Sequence, residues 1–336
     1  MTGRDRAGSR LPVLRPRAGS LEKMLLFGVL LCAGVGSRPA HAGDNDLQLW
    51  LLGHPDPITI CTLCNGTDNS IQQGEPSAQY KFARMTAALG LAFVPGFSET
   101  AASAGQAGFE LGYSQSFRFL NLNSDEWATD GSNAKAAVPL LALSTLTVRK
   151  GLGASLDVGV FASYLAESSM LAVGAELRWS LLDGIDYAPD IAIRAYGARV
   201  TGTRELDLTI AGADAMISKS FGIAGMVKLQ PYGQYGMVGV NAETGVIDFN
   251  PTAQDPTNPT AEDGVFRDIH LLDNRYNRFA AGVRLVAGAA VLGLEASEAF
   301  GTNPVQSAQP SGGVVPSPAT QTTHVFGIDA HLGVQF

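Results

Sequence analysis

The sequence predicts an all-β chain, a transmembrane antiparallel up-and-down β-barrel of about ten strands (twelve as the alternative), preceded by one short helix. Three observations predict it. From residue 106 onward, segments of roughly ten residues alternate apolar and polar side chains with period two. The connections between them are alternately short and long. The last segment, "HVFGIDAHLGVQF" (324–336), keeps alternating to its final residue, with Phe326, Ile328, Ala330, Leu332, Val334 and Phe336 on one face and Gly327, Asp329, His331, Gly333 and Gln335 on the other. Period two places unlike side chains on opposite faces of an extended chain, so such a strand sits between two different solvents.

The chain opens on a basic region, Arg4 to Lys23, then the apolar run "MLLFGVLLCAGVG" (24–36) and "SRPAHA". Basic region, short apolar core and A-x-A site describe a secretory leader, residues 1–42, with cleavage expected after Ala42. The basic region is long, which makes Met24 an alternative start. Cys32 follows Leu30 and Leu31 rather than a small residue, which disfavours a lipidated leader. The 23 basic and 31 acidic residues give a net charge of −8; the leader holds seven of the bases and two of the acids, so the remainder carries −13. That balance argues against a nucleic-acid partner, which needs clustered Lys and Arg. No later segment approaches the ~18 consecutive apolar residues of a spanning helix, so any membrane crossing is by strands.

Residues 43–78, rich in Gly, Pro, Asp and Asn, read as an irregular extension. Within it Cys61 and Cys64 form a CxxC for which a local disulfide is the simple reading in an exported chain. One CxxC with His54 is an incomplete metal site. No cofactor is indicated. Residues 79–105 hold "YKFARMTAALGLAF" (80–93), whose Phe82, Met85, Leu89 and Phe93 fit a helical stripe. Read instead as strands, this segment and residues 48–60 would give the twelve-strand barrel.

The barrel proper takes residues 106–336. "FELGYSQSFRF" (109–119) sets Phe109, Leu111, Tyr113, Phe117 and Phe119 against Glu110 and Arg118. "LSTLTVRK" (143–150), "ASLDVGVFASYL" (154–165) and "SMLAVGAELRWSLL" (169–182) follow the same rule. "PDIAIRAYGARV" (189–200), "ELDLTIAGADAMISKS" (205–220) and "AGMVKLQPYGQYGMVGV" (224–240) alternate less cleanly, and a bulge or register change is expected near Gly212. "NRFAAGVRLVAG" (277–288) and "AVLGLEAS" (290–297) resume the pattern. Counting back from the last strand, "AGAA", "SFGIAG", "LLDGIDYAPD" and "KGLG" fall on the side of the chain's end, while the 241–275 connection and "SAQPSGGVVPSPATQTT" fall opposite.

The leader together with residues 106–336 resembles bacterial outer-membrane β-barrel proteins, a class with short periplasmic turns and longer external loops. In that class the last strand commonly ends in an aromatic residue, usually Phe, which the barrel-assembly machinery recognises; "HLGVQF" matches, with Phe336 as the assembly signal. The resemblance implies the bacterial outer membrane as location, with membrane lipid and the assembly machinery as partners. It sets the extension 43–78 in the periplasm and the helix at or inside the periplasmic mouth.

With apolar faces toward lipid, the opposite residues line the lumen: Glu110, Arg118, Arg149, Asp157, Glu176, Arg178, Arg194, Asp207, Lys219, Lys228, Arg278, Arg284, Glu295, Asp329 and His331. Mixed signs in a narrow lumen read as a space-filling charge network, or else as a narrow channel. Three functions follow: a non-enzymatic narrow channel or structural surface protein, a surface-binding barrel acting through the acidic 241–275 loop, or a barrel hydrolase. For the last, a protease of the omptin type would need Asp pairs and an Asp/His pair at the outer rim. "FRDIHLLDN" offers Asp268, His270 and Asp273 without the second pair, and no G-x-S-x-G elbow exists. The solute or surface partner is open.

Overall fold

A computed structural model of the chain describes residues 45–55, 78–96, 98–122, 126–128, 140–185, 187–223, 227–250, 263–272, 274–302 and 322–336. Cys61, Cys64 and Asp273 lie outside the described residues, as does the leader. Ten long strands carry the fold: β1 Phe109–Leu120, β2 Leu140–Gly153, β3 Leu156–Leu165, β4 Leu171–Leu182, β5 Asp190–Thr201, β6 Leu206–Ser218, β7 Val227–Thr244, β8 Arg275–Ala287, β9 Ala290–Thr302 and β10 Thr322–Gln335. Each pairs antiparallel with its neighbour in sequence. β10 returns to β1 from Glu110↔Gln335 to Leu120↔Val325, which closes the ring. Closure leaves no ladder edge, the condition for a sheet to stand in hydrocarbon. Phe336 extends the seam by exchanging both backbone hydrogen bonds with Phe109.

The faces are inverted relative to a water-soluble barrel. Along β4, Val173, Leu177, Trp179 and Leu181 are about half exposed while Glu176, Arg178 and Ser180 between them are buried. The same inversion holds for Tyr113, Phe117 and Phe119 on β1, Phe279 and Leu285 on β8, and Phe326, Ile328 and Leu332 on β10. Such a continuous apolar exterior around a charged interior belongs in lipid. The β2–β3 and β8–β9 connections at the Phe336 end are tight. β2 turns into β3 through Ala154 and Ser155, both at positive φ, which matches the right-handed strand twist.

β6 carries no register change. Its pairing with β5 and β7 runs unbroken, and Leu206, Leu208, Ile210, Asp214, Met216 and Ser218 are all buried. Gly212 stands on that inward row because the ring of Tyr196 covers it: a Cβ there would lie 2.5 Å from the Tyr196 ring and hydroxyl. The clean alternation is lost for a different reason, namely that the inner wall in the half away from Phe336 is itself apolar. Asp207 is therefore not a lumen residue. It lies on the outer face, paired with an exposed Arg199.

What the apolar wall meets is α1, Ala78–Ala92, inside the barrel. Phe82, Met85, Leu89 and Phe93 share one buried cluster with Leu141, Leu143, Phe161, Leu165, Leu208, Ile210, Val238 and Val240. The sequence reading sets the helix at or inside the mouth nearest Phe336 and residues 43–78 beyond it. In the structure α1 packs in the opposite half, and the described extension residues sit at the opposite rim. There Asn45 donates its backbone N–H to the Glu167 carbonyl, Asp46 accepts from the backbone and hydroxyl of Ser169, and Gln48 donates to the Ala128 carbonyl. Residues 49–52 form a 3₁₀ turn, so neither this segment nor α1 supplies a strand.

Candidate functional site

Below α1 the chain descends through the lumen to β1, and the inward charges of the strands close on it. Arg118 donates two hydrogen bonds to the Asp329 carboxylate, at 2.8 and 2.9 Å, and two more to the Ala92 and Val94 carbonyls, at 3.2 and 3.0 Å. A guanidinium at these orphan carbonyls caps the helix and complements its negative end. Asp329 also accepts from the Ser116 hydroxyl. Ser98 donates its backbone N–H to Glu295, which in turn holds Arg278 at 2.9 Å and the Tyr232 hydroxyl at 2.9 Å.

Glu99, carried by the descending segment, is the hub. Its carboxylate lies 2.6 Å from Arg149, 3.4 Å from Arg178 and 3.8 Å from Arg194, guanidinium groups from three different strands. Around it Arg178 pairs with Asp157, Arg194 pairs with Asp214, and Glu176 approaches Arg194 at 4.0 Å. Glu110 accepts from Arg149 at 2.5 Å and Arg284 at 2.7 Å, with His331 at 3.7 Å. His331 also bonds the Ser114 hydroxyl through Nδ1, 2.9 Å. Buried charges survive only when paired, since an isolated one would cost several kcal/mol of lost hydration. Here each arginine has at least one carboxylate within 4 Å.

Of the lumen residues read from the sequence, Glu110, Arg118, Arg149, Asp157, Glu176, Arg178, Arg194, Arg278, Arg284, Glu295, Asp329 and His331 are buried in this network. Lys228 is exposed at the mouth nearest Phe336, and Lys219 donates to the Ile185 and Ala188 carbonyls in the neighbouring turn. Two members of the network escape sequence reading. Asp214 is hidden by the expected register change, although strict parity from Met216 places it inward. Glu99 sits in a segment without periodicity, so no local signal marks it. Asp268 and His270 are exposed in the β7–β8 connection. Among the described residues, no group of three or more His, Cys, Asp or Glu is arranged to hold a metal.

A cavity of ≈ 680 Å³ opens at the Phe336 end, lined by Arg149, Arg178, Lys228 and Arg284 with Glu110 as the carboxylate in its wall. The opposite half of the lumen is filled by α1. Closure, inverted faces and a charged, plugged interior define a ten-stranded transmembrane β-barrel.

No family model and no curated protein matches the chain. Among solved structures it is similar to Ail, the attachment invasion locus protein of Yersinia pestis, in complex with a heparin analogue (13% identity over 68% of this chain and 97% of that one, TM-score 0.24). It is also similar to Neisserial surface protein A (9%, 68% and 97%, TM-score 0.26) and to the outer membrane protease OmpT of Escherichia coli (9%, 68% and 96%, TM-score 0.30). Likeness at this level assigns no function, and the class rests on the chain's own geometry.

Proposed function

We propose that the chain is an exported, non-enzymatic outer-membrane barrel that is closed at rest and does its work at the cell surface. In this reading the Phe336 end faces the periplasm, where the assembly machinery takes Phe336 as its signal, and the longer connections face outward. The observation that carries it is the path of the N-terminal segment. Asn45 and Asp46 pack on the β3–β4 turn at the outward rim, α1 fills the outer half of the lumen, and the descending chain reaches the other end over residues 100–109. Gln79 adds a two-way clasp to the backbone of Arg267 in the β7–β8 connection, and Phe82 stacks on Phe266 at 4.5 Å. Residues 45–55 of the extension, the plug and residues 263–272 of the loop together build one cap, a surface suited to binding a partner rather than passing a solute.

Two measurements test this. Purified, folded protein in a planar bilayer is expected to show no stable open state, and a steady ohmic conductance would replace the closed reading with a channel. On intact cells, an epitope placed before Asn45 of the mature chain is expected to bind antibody without permeabilisation. An epitope reached only after permeabilisation would reverse the orientation and return the extension to the periplasm.

A further inference from the structure

We propose that the cavity at the Phe336 end is a binding site for a small soluble oxyanion, a carboxylate or phosphate compound. Its volume, ≈ 680 Å³, lies within the range of small-molecule pockets. Its charge is asymmetric: Arg149, Arg178, Arg284 and Lys228 line it against Glu110, and Lys150 stands at the same rim on the Gln106 and Gly108 carbonyls. Glu110 is already engaged by Arg149 and Arg284 through one oxygen, and Glu99 and Asp157 answer Arg149 and Arg178 from behind the wall.

Two cations retain unused capacity. Lys228 has no ion pair or hydrogen bond among the described residues. Arg284 is 3% exposed and donates through Nη2 to Glu110 and Gln335 Oε1, while its Nη1 makes no hydrogen bond among the described residues. The register sets these two residues together. Arg284 stands opposite Gln230 and Val286 opposite Lys228, so Lys228 and Arg284 are diagonal neighbours on the inward face, roughly 7 Å apart at the backbone. A carboxylate or phosphate group between them would accept charge-assisted hydrogen bonds from both, and Gln335 and Thr100 also line that wall.

The test is calorimetric titration of the folded full chain in zwitterionic micelles with citrate and with inorganic phosphate, at low salt. Saturable one-to-one binding by either anion is expected, weakened about tenfold by Lys228→Gln and lost in Lys228→Glu. Both variants are expected to keep the heat-modifiable gel shift of a closed barrel, since Lys228 supports no packing. Lys219→Gln, which alters a charge outside the cavity, is expected to bind as the parent does. No saturable heat with either anion at millimolar concentration, or undiminished binding by folded Lys228→Glu, would overturn the proposal.

Discussion

Arg118 on β1 holds Asp329 on β10 and the C-terminal end of α1 at the same time, so one side chain joins the barrel seam to the plug. The pair is almost fully buried. Its removal therefore acts on both elements, and the consequence differs according to what is left behind.

Arg118→Ala leaves Asp329 buried without its cation and α1 without its cap. The expected loss is about 3–5 kcal/mol, read as a lower temperature for the heat-modified shift on a denaturing gel. Arg118→Leu combined with Asp329→Leu removes both charges and is expected to recover most of it. A double variant no better than the single one would show that the cap on Ala92 and Val94, not the unpaired charge, dominates.

Gly90 of α1 faces Val240 of β7 so closely that an added Cβ would lie 2.7 and 2.8 Å from the valine methyl carbons. Gly90→Ala is expected to cost ~1–3 kcal/mol by overpacking. Val240→Ala in the same chain should restore the parent's midpoint by making room. Because the contact is between plug and wall, the single variant should also raise the frequency of brief openings in a planar bilayer.

Glu99→Ala withdraws the hub shared by Arg149, Arg178 and Arg194. The three arginines then keep Glu110, Asp157 and Asp214 as partners without the carboxylate they share, and destabilisation of about 3 kcal/mol or more is expected. Any conducting state that appears should prefer anions, and reversal potentials in a salt gradient give the sign. Cation preference would place the conducting path elsewhere.

Leu294 is 55% exposed on the outer face of β9. Leu294→Arg is expected to weaken folding into lipid vesicles by ~2–4 kcal/mol if the residue lies near the bilayer midplane. Asp207→Asn, which only breaks an exposed pair with Arg199, should change it by less than about 1 kcal/mol. Equal effects would mean that β9 does not face hydrocarbon.

Heat modification of the parent chain underlies the first of these readouts, and it also checks the fold. A closed barrel resists detergent until heated, because no strand can leave without breaking two ladders.

The sequence by itself determined the strands and their outward faces. Those are local consequences of period two: Val173, Leu177 and Trp179 declare a lipid-facing row whatever lies inside. It also determined most of the lumen charges, since parity carries inward as reliably as outward. What only the tertiary structure decided is what those inward rows meet. Leu206, Leu208 and Ile210 are apolar and inward because α1 lies against that half of the barrel, so polarity ceases to report direction there, and Asp207 reads as inward when it is not. Glu99 and Asp214 join the network only when distant strands and the descending chain converge. The path of the extension is decided the same way, by hydrogen bonds from Asn45 and Gln48 to partners far along the chain. Periodicity measures the contrast between two faces of one strand, and it carries no information about a second element that arrives to cover one of them.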